Sequence, residues 1–154
     1  MNFSEIIKAS IYDLKFRHRY DYKFYWAQKI ATYLSRYDKE DYRFVLAPSH
    51  SAEHLMLAIA KQLMYAYQYK VEFILYKKRN IQQKNLDKAQ RMIAQKDNIY
   101  LKERDKGRVI GRKWVVLDDI YTTGSTLYYC TKVLMDAGAL EVESVSLALV
   151  SDKI

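Results

Sequence analysis

Two adjacent carboxylates, Asp118 and Asp119, close a short apolar run, Trp114-Val115-Val116-Leu117. A hydroxyl-rich turn follows, Ile120-Tyr121-Thr122-Thr123-Gly124-Ser125, and leads into a helical stretch. Each residue type has a chemical use there. The backbone N–H groups of residues 122–126 stand at a helix start and lack partners within the helix. They suit a phosphate dianion, helped by the helix dipole; each such charge contact is worth about 0.3–1 kcal/mol when exposed. Gly124 lets the backbone come close to an anion. The hydroxyls of Thr122, Thr123, Ser125 and Thr126 add donors. Asp118 and Asp119 repel a phosphate and call instead for hydroxyl donors or a metal ion. A ligand with a phosphate at one end and a vicinal diol in the middle fits both halves, and ribose 5-phosphate is such a ligand. Thr-Gly-Ser alone would read as a helix cap. The succession of strand, diacid, hydroxyl turn and helix is what points to a ligand.

The flanking chain supplies elements able to hold that turn. Apolar residues at helical spacing predict helices over residues 3–15 and 24–37, the second through Phe24, Ala27, Ile30, Ala31 and Leu34. Residues 44–47 read as a buried strand ending at Pro48-Ser49. Residues 52–67 read as a helix with Leu55, Ile59, Leu63 and Ala66 inward, and residues 71–76 as a second strand. Residues 77–111 are densely charged and weakly periodic, with helical character only around 86–93. Residues 113–118 form a third strand. Residues 125–136 form a helix with Leu127, Thr131, Leu134 and Met135 inward and Gly138 as its stop. Residues 142–150 close as a fourth strand. This alternation predicts a single α/β domain over residues 1–154, an open, mainly parallel sheet with helices on both faces. Such sheets bind ligands at the carboxyl ends of their strands.

Composition narrows the class. The chain has 154 residues, half of them apolar or aromatic, enough for one core. Its one cysteine, Cys130, excludes a disulfide framework and a multi-cysteine zinc site. No apolar run approaches the roughly 20 residues of a membrane span. Residues 1–10 carry Glu5 and Lys8 and lack a signal-peptide core, so a soluble, reduced, cytoplasmic protein is expected. The net charge of +8 is local. Residues 61–113 hold fifteen basic and five acidic residues, and the rest of the chain is slightly acidic. A localised positive field suits an anionic partner.

The string WVVLDDIYTTGST resembles the phosphoribosyl pyrophosphate (PRPP) signature of type I phosphoribosyltransferases, with Tyr121 where a smaller residue is common. More narrowly, the chain is similar to the competence-protein F (ComF) group of that Rossmann-like superfamily. Leu14-Lys15, the spaced Arg79, Gln83, Leu86 and Arg91, and Asp136-Ala137-Gly138-Ala139 with Val142 follow that group's pattern. Longer ComF proteins add a cysteine-rich zinc module, which these residues do not contain. The loop 48–54 also lacks the arginine and glycine usual in the family.

The resemblance implies a reaction in which a nitrogen acceptor, usually a nucleobase, attacks C1 of PRPP and pyrophosphate leaves through an oxocarbenium-like state. It implies Mg²⁺ as cofactor, met by Asp118 and Asp119 through ribose hydroxyls or water. These two acids would be the catalytic pair that holds the ribose diol. Tyr121, Thr122, Thr123, Gly124, Ser125 and Thr126 would bind the 5-phosphate. Ser49, His50, Ser51, Arg79, Lys84 and Arg91 would face pyrophosphate, with Lys77 and Lys78 in the same mobile hood. The alternatives are a non-catalytic single-stranded DNA binder in DNA uptake and a PRPP sensor. The aromatic and basic residues of 16–26 favour the former, unless they simply pack the first two helices. A homodimer is expected by the same resemblance, and the acceptor base is not named by the sequence.

Overall fold

The computed structural model describes residues 22–48, 53–78, 86–121 and 125–149. The expected helix over 3–15 lies outside them. Elements are numbered within the described residues. In chain order they are α1 (Tyr22–Leu34), β1 (Tyr42–Leu46), α2 (Glu53–Tyr67), β2 (Val71–Glu72), β3 (Leu75–Lys77) and α3 (Lys88–Gln95). They continue as β4 (Ile99–Leu101), α4 (Glu103–Val109), β5 (Lys113–Tyr121), α5 (Ser125–Asp136) and β6 (Glu141–Leu149).

Four strands form a parallel sheet in the order β2-β1-β5-β6. The two central strands are apolar on both sides, as a sheet covered on both faces requires. Their residues alternate between two cores. Phe44, Val115 and Leu117 face one core, with Trp26, Ala27, Ile30, Ala31 and Leu34 of α1 and Met56, Ile59, Ala60 and Leu63 of α2. Val45, Trp114 and Val116 face the other, with Leu127, Cys130 and Leu134 of α5, Leu75 of β3, Ile99 of β4 and Val109 of α4. The expected α/β fold, with a mainly parallel sheet flanked by helices, is what is found.

Several inward faces differ from the expected ones. Phe24 is 57% exposed although its spacing fits the α1 stripe. The buried face of α5 centres on Cys130, which leaves Met135 45% exposed. Ala66, near the end of α2, is exposed.

The expected strand 71–76 is two strands in two sheets. β2 pairs with β1, whereas β3 crosses to an antiparallel pair with β4, Lys77 opposite Ile99. β4 and α4 had no sequence expectation. Both are short, so neither repeats its pattern often enough to be read. α3 starts at a capping box, Asp87 accepting from the Gln90 N–H at 2.8 Å while Gln90 accepts from the Asp87 N–H. α5 stops at Gly138, whose φ of +97° is left-handed and whose missing Cβ would meet Ile110 at 3.3 Å.

Candidate functional site

The site is set by where the sheet changes direction. From β1 the chain passes through α2 to β2 on one side. From β5 it passes through α5 to β6 on the other. β1 and β5 are neighbours, so the crevice between their carboxyl ends is the topological switch point, where open α/β sheets bind ligands. The two ends stay in register beyond β1: the Ala47 N–H donates to the Leu117 carbonyl at 2.8 Å.

β5 runs farther than its apolar run suggests. It pairs with β6 through Asp118, Ile120 and Tyr121, opposite Ser146, Ala148 and Leu149. The diacid is therefore backbone-held strand, not loop, and Tyr121 is the last strand residue. Only residues 122–124 separate it from Ser125, the first residue of α5. Diacid and helix N-terminus are thus fixed to the same edge by rigid elements on both sides. Ser125 is 2% exposed and Thr126 is half-buried.

Asp118 is 8% exposed. It continues the alternation of Trp114 and Val116, toward the core that holds Cys130. Lys77, half-buried at the end of β3, lies within its field. Burial pulls the Lys77 ammonium below its usual range, and the Asp118 carboxylate opposes that shift. Burial pushes the Cys130 thiol far up, with Asp118 adding to the effect and Lys77 opposing it. Lys77, Asp118 and the Cys130 thiol are thus electrostatically coupled. Lys77 is placed by the antiparallel β3–β4 pair, whose strands are joined through α3, so spacing along the sequence does not single it out from its neighbours. The usable signal was the even-numbered alternation through Trp114, Val116 and Asp118.

Of the other expected site residues, Arg91 sits on α3, which packs against α5. Ser49, His50, Ser51, Arg79, Lys84, Thr122, Thr123 and Gly124 lie outside the described residues, as do the side chains of Asp119 and Tyr121. The basic segment divides. Lys77 reaches the site, whereas Lys106 pairs with Glu103 at 2.6 Å and Arg108 with Glu72 at 3.3 Å. Lys102 stands 4.2 Å from the centre of the Tyr76 ring. Among the described residues there is no cluster of three His, Cys, Asp or Glu side chains that could cage a metal, and no helix long and apolar enough to cross a membrane.

A parallel sheet with a diacid strand end and a helix start at its switch point defines an open α/β domain. The chain belongs to the phosphoribosyl transferase domain family, whose model matches residues 25–154. A hypoxanthine-guanine phosphoribosyltransferase from Bacillus anthracis aligns at TM-score 0.55 and 11% identity, over 84% of this chain and 70% of that one. A hypoxanthine phosphoribosyltransferase from Staphylococcus aureus aligns at 0.54 and 10%, over 86% and 75%. A hypoxanthine-guanine-xanthine phosphoribosyltransferase aligns at 0.48 and 17%; this chain covers 63% of it, less than two thirds of that protein. Such identities speak for the fold. No curated protein sequence matches the chain.

Proposed function

We propose that the chain binds PRPP at the carboxyl edge of β5 and transfers its phosphoribosyl group to a nitrogen acceptor, releasing pyrophosphate. One observation carries this reading: a strand-held diacid and the α5 N-terminus share the β1/β5 switch point. Residues 121–126 take the 5-phosphate. Asp118 and Asp119 take the ribose diol and stabilise the positive ring as the C1–O bond to pyrophosphate breaks. Fixing both ends of the sugar makes the attack effectively unimolecular. Lys77 exchanges Asp118 for the incoming pyrophosphate, which frees the carboxylate for the ribose hydroxyls. Ser49, His50, Ser51, Arg79, Lys84 and Arg91 complete the pyrophosphate side.

Mg²⁺ binds through one or two carboxylates, waters and substrate phosphates, not in an all-protein cage. A site with a buried carboxylate, Asp118, at its strand end fits that mode. Asp118 and Asp119 would hold the ion through ribose hydroxyls or water, and it would supply charge neutralisation on pyrophosphate.

Screening nucleobases for pyrophosphate release from PRPP tests the reading. Release with at least one base, lost in Asp118→Asn/Asp119→Asn, is the expected result. PRPP binding without release for any base would leave a PRPP sensor instead. The ComF likeness supports a second reading, single-stranded DNA binding. Phe24 and Tyr25 are exposed, with Lys23 and Lys29 at 5.0 and 5.5 Å from their ring centres. Affinity that falls steeply with salt and drops in Phe24→Ala/Tyr25→Ala would favour it.

A further inference from the structure

The sheet ends at β6, a strand of nine residues with no partner strand on its outer side among the described residues. Folds cover, charge or shorten such an edge, because its backbone groups otherwise invite another chain. Beside β6 runs a groove of about 370 Å³. Val145 and Leu147 of β6 stand on one side, and Trp26, Lys29, Ile30 and Tyr33 of α1 on the other. Those four α1 residues follow the i, i+3, i+4, i+7 spacing of one helix face. That face is distinct from the stripe of Ala27, Ala31 and Leu34, which α1 turns to the core. α1 therefore has two packing faces, and Tyr33 on the second is 43% exposed.

We propose that residues 3–15 of this same chain fill the groove as a helix and cover the β6 edge. They carry Phe3, Ile6, Ile7, Ile11 and Leu14 at helical spacing, an apolar stripe that needs a face to pack on. Attachment and length agree. The turn after α1 lies at the start of the sheet, where Tyr37 donates to Glu143 and Tyr42 to Glu141. α1 thus begins at the carboxyl edge and runs down to that turn. A helix over 3–15 is about 20 Å long, which matches the thirteen residues of α1. Only residues 16–21 join the two segments. Extended, that link reaches about 20 Å, more than the roughly 8–10 Å between packed helix axes. The segment can therefore return antiparallel to α1, as in a helical hairpin. The same tether favours this occupant over a second copy of the chain. A short link holds its segment at an effective concentration on the order of millimolar, which a free partner must match in solution.

Hydrogen exchange of the full chain at micromolar concentration, read by mass spectrometry, tests the docking. Residues 3–15 should exchange at least tenfold more slowly than the same segment as a free peptide. Tyr33→Asp, at an exposed position outside the core, should remove that protection. Ile11→Asp should remove it from the other side of the contact. Each should also speed exchange in residues 144–147, and the double variant should go no further than the faster single one. Lys8→Ala, off the apolar stripe, should leave the protection in place. If Ile11→Asp fails to fold, Tyr33→Ser supplies the second variant. Free-peptide exchange of residues 3–15 in the wild type would overturn the inference, as would protection that survives Tyr33→Asp. Protection that appears only as the chain dimerises at higher concentration would also overturn it, by putting a second copy in the groove.

Discussion

The β1/β5 pair and the basic stretch between β2 and β5 are built on different physics. The first is a slab of apolar side chains: Phe44, Val45, Trp114, Val115 and Val116 are fully buried, and burial of each such side chain is worth about 1.5–3 kcal/mol. The second consists of elements of three to eight residues held by capping, ion pairs and cations over tyrosine rings. The frame fixes the positions of Asp118 and the α5 N-terminus. The basic stretch brings charge to them. Stability therefore belongs chiefly to the first region.

Substitutions should separate the two. Trp114→Ala, in the frame, should lower unfolding free energy by about 3–5 kcal/mol in urea titrations. Asp87→Ala, which removes the α3 cap, should cost about 0.5–2 kcal/mol. Equal losses from the two would erase the distinction. Lys77→Gln should raise the KM for PRPP about tenfold while the melting temperature stays within a few degrees. Because kcat/KM reports the free enzyme, its alkaline limb should lie below the ordinary lysine value of 10.5: the ammonium form is needed, burial depresses its pKa, and charge is lost as pH rises through that depressed value. Lys77→Arg should move the limb upward, since a guanidinium stays charged.

The frame has its own pH signature. Tyr37 donates to Glu143 at 2.5 Å and Tyr42 to Glu141 at 2.8 Å, tying the turn after α1 and the start of β1 to β6. The Tyr42 phenol is pushed up to about 12, chiefly by its bond to Glu141. The folded state thus holds a proton that the unfolded chain gives up near pH 10. The stabilisation is full below pH 10 and is lost as pH rises from there through about 12. Chemical denaturation at pH 9 and pH 11 should show that loss in the wild type and a smaller one in Tyr42→Phe. The smallest effect is expected at Cys130, whose buried, high-pKa thiol should resist alkylating reagents until the chain unfolds.

The same contrast explains what could be read from sequence. The strands at Phe44, Val71 and Trp114 and the helix ending at Gly138 are legible because apolar runs and a left-handed glycine leave strong local signals. β4 and α4 leave none: three strand residues and seven helical ones are too few for a repeating pattern, and Arg108 of α4 pairs with the distant Glu72. The stretch 71–76 reads as one strand because its apolar composition conceals the crossing at Phe73-Ile74, where the chain changes sheets. At the candidate site, the diacid and the hydroxyl turn are visible as a string. The coupling of Lys77 to Asp118 is not, because it depends on a long-range antiparallel pairing of Lys77 with Ile99.

Calorimetric titration of the wild-type chain with PRPP in the presence of Mg²⁺ tests the central claim most directly. Saturable binding that is abolished in Asp118→Asn/Asp119→Asn, with the fold intact by circular dichroism, is the predicted result. No heat from the wild type, or an affinity unchanged by the double substitution, would contradict it.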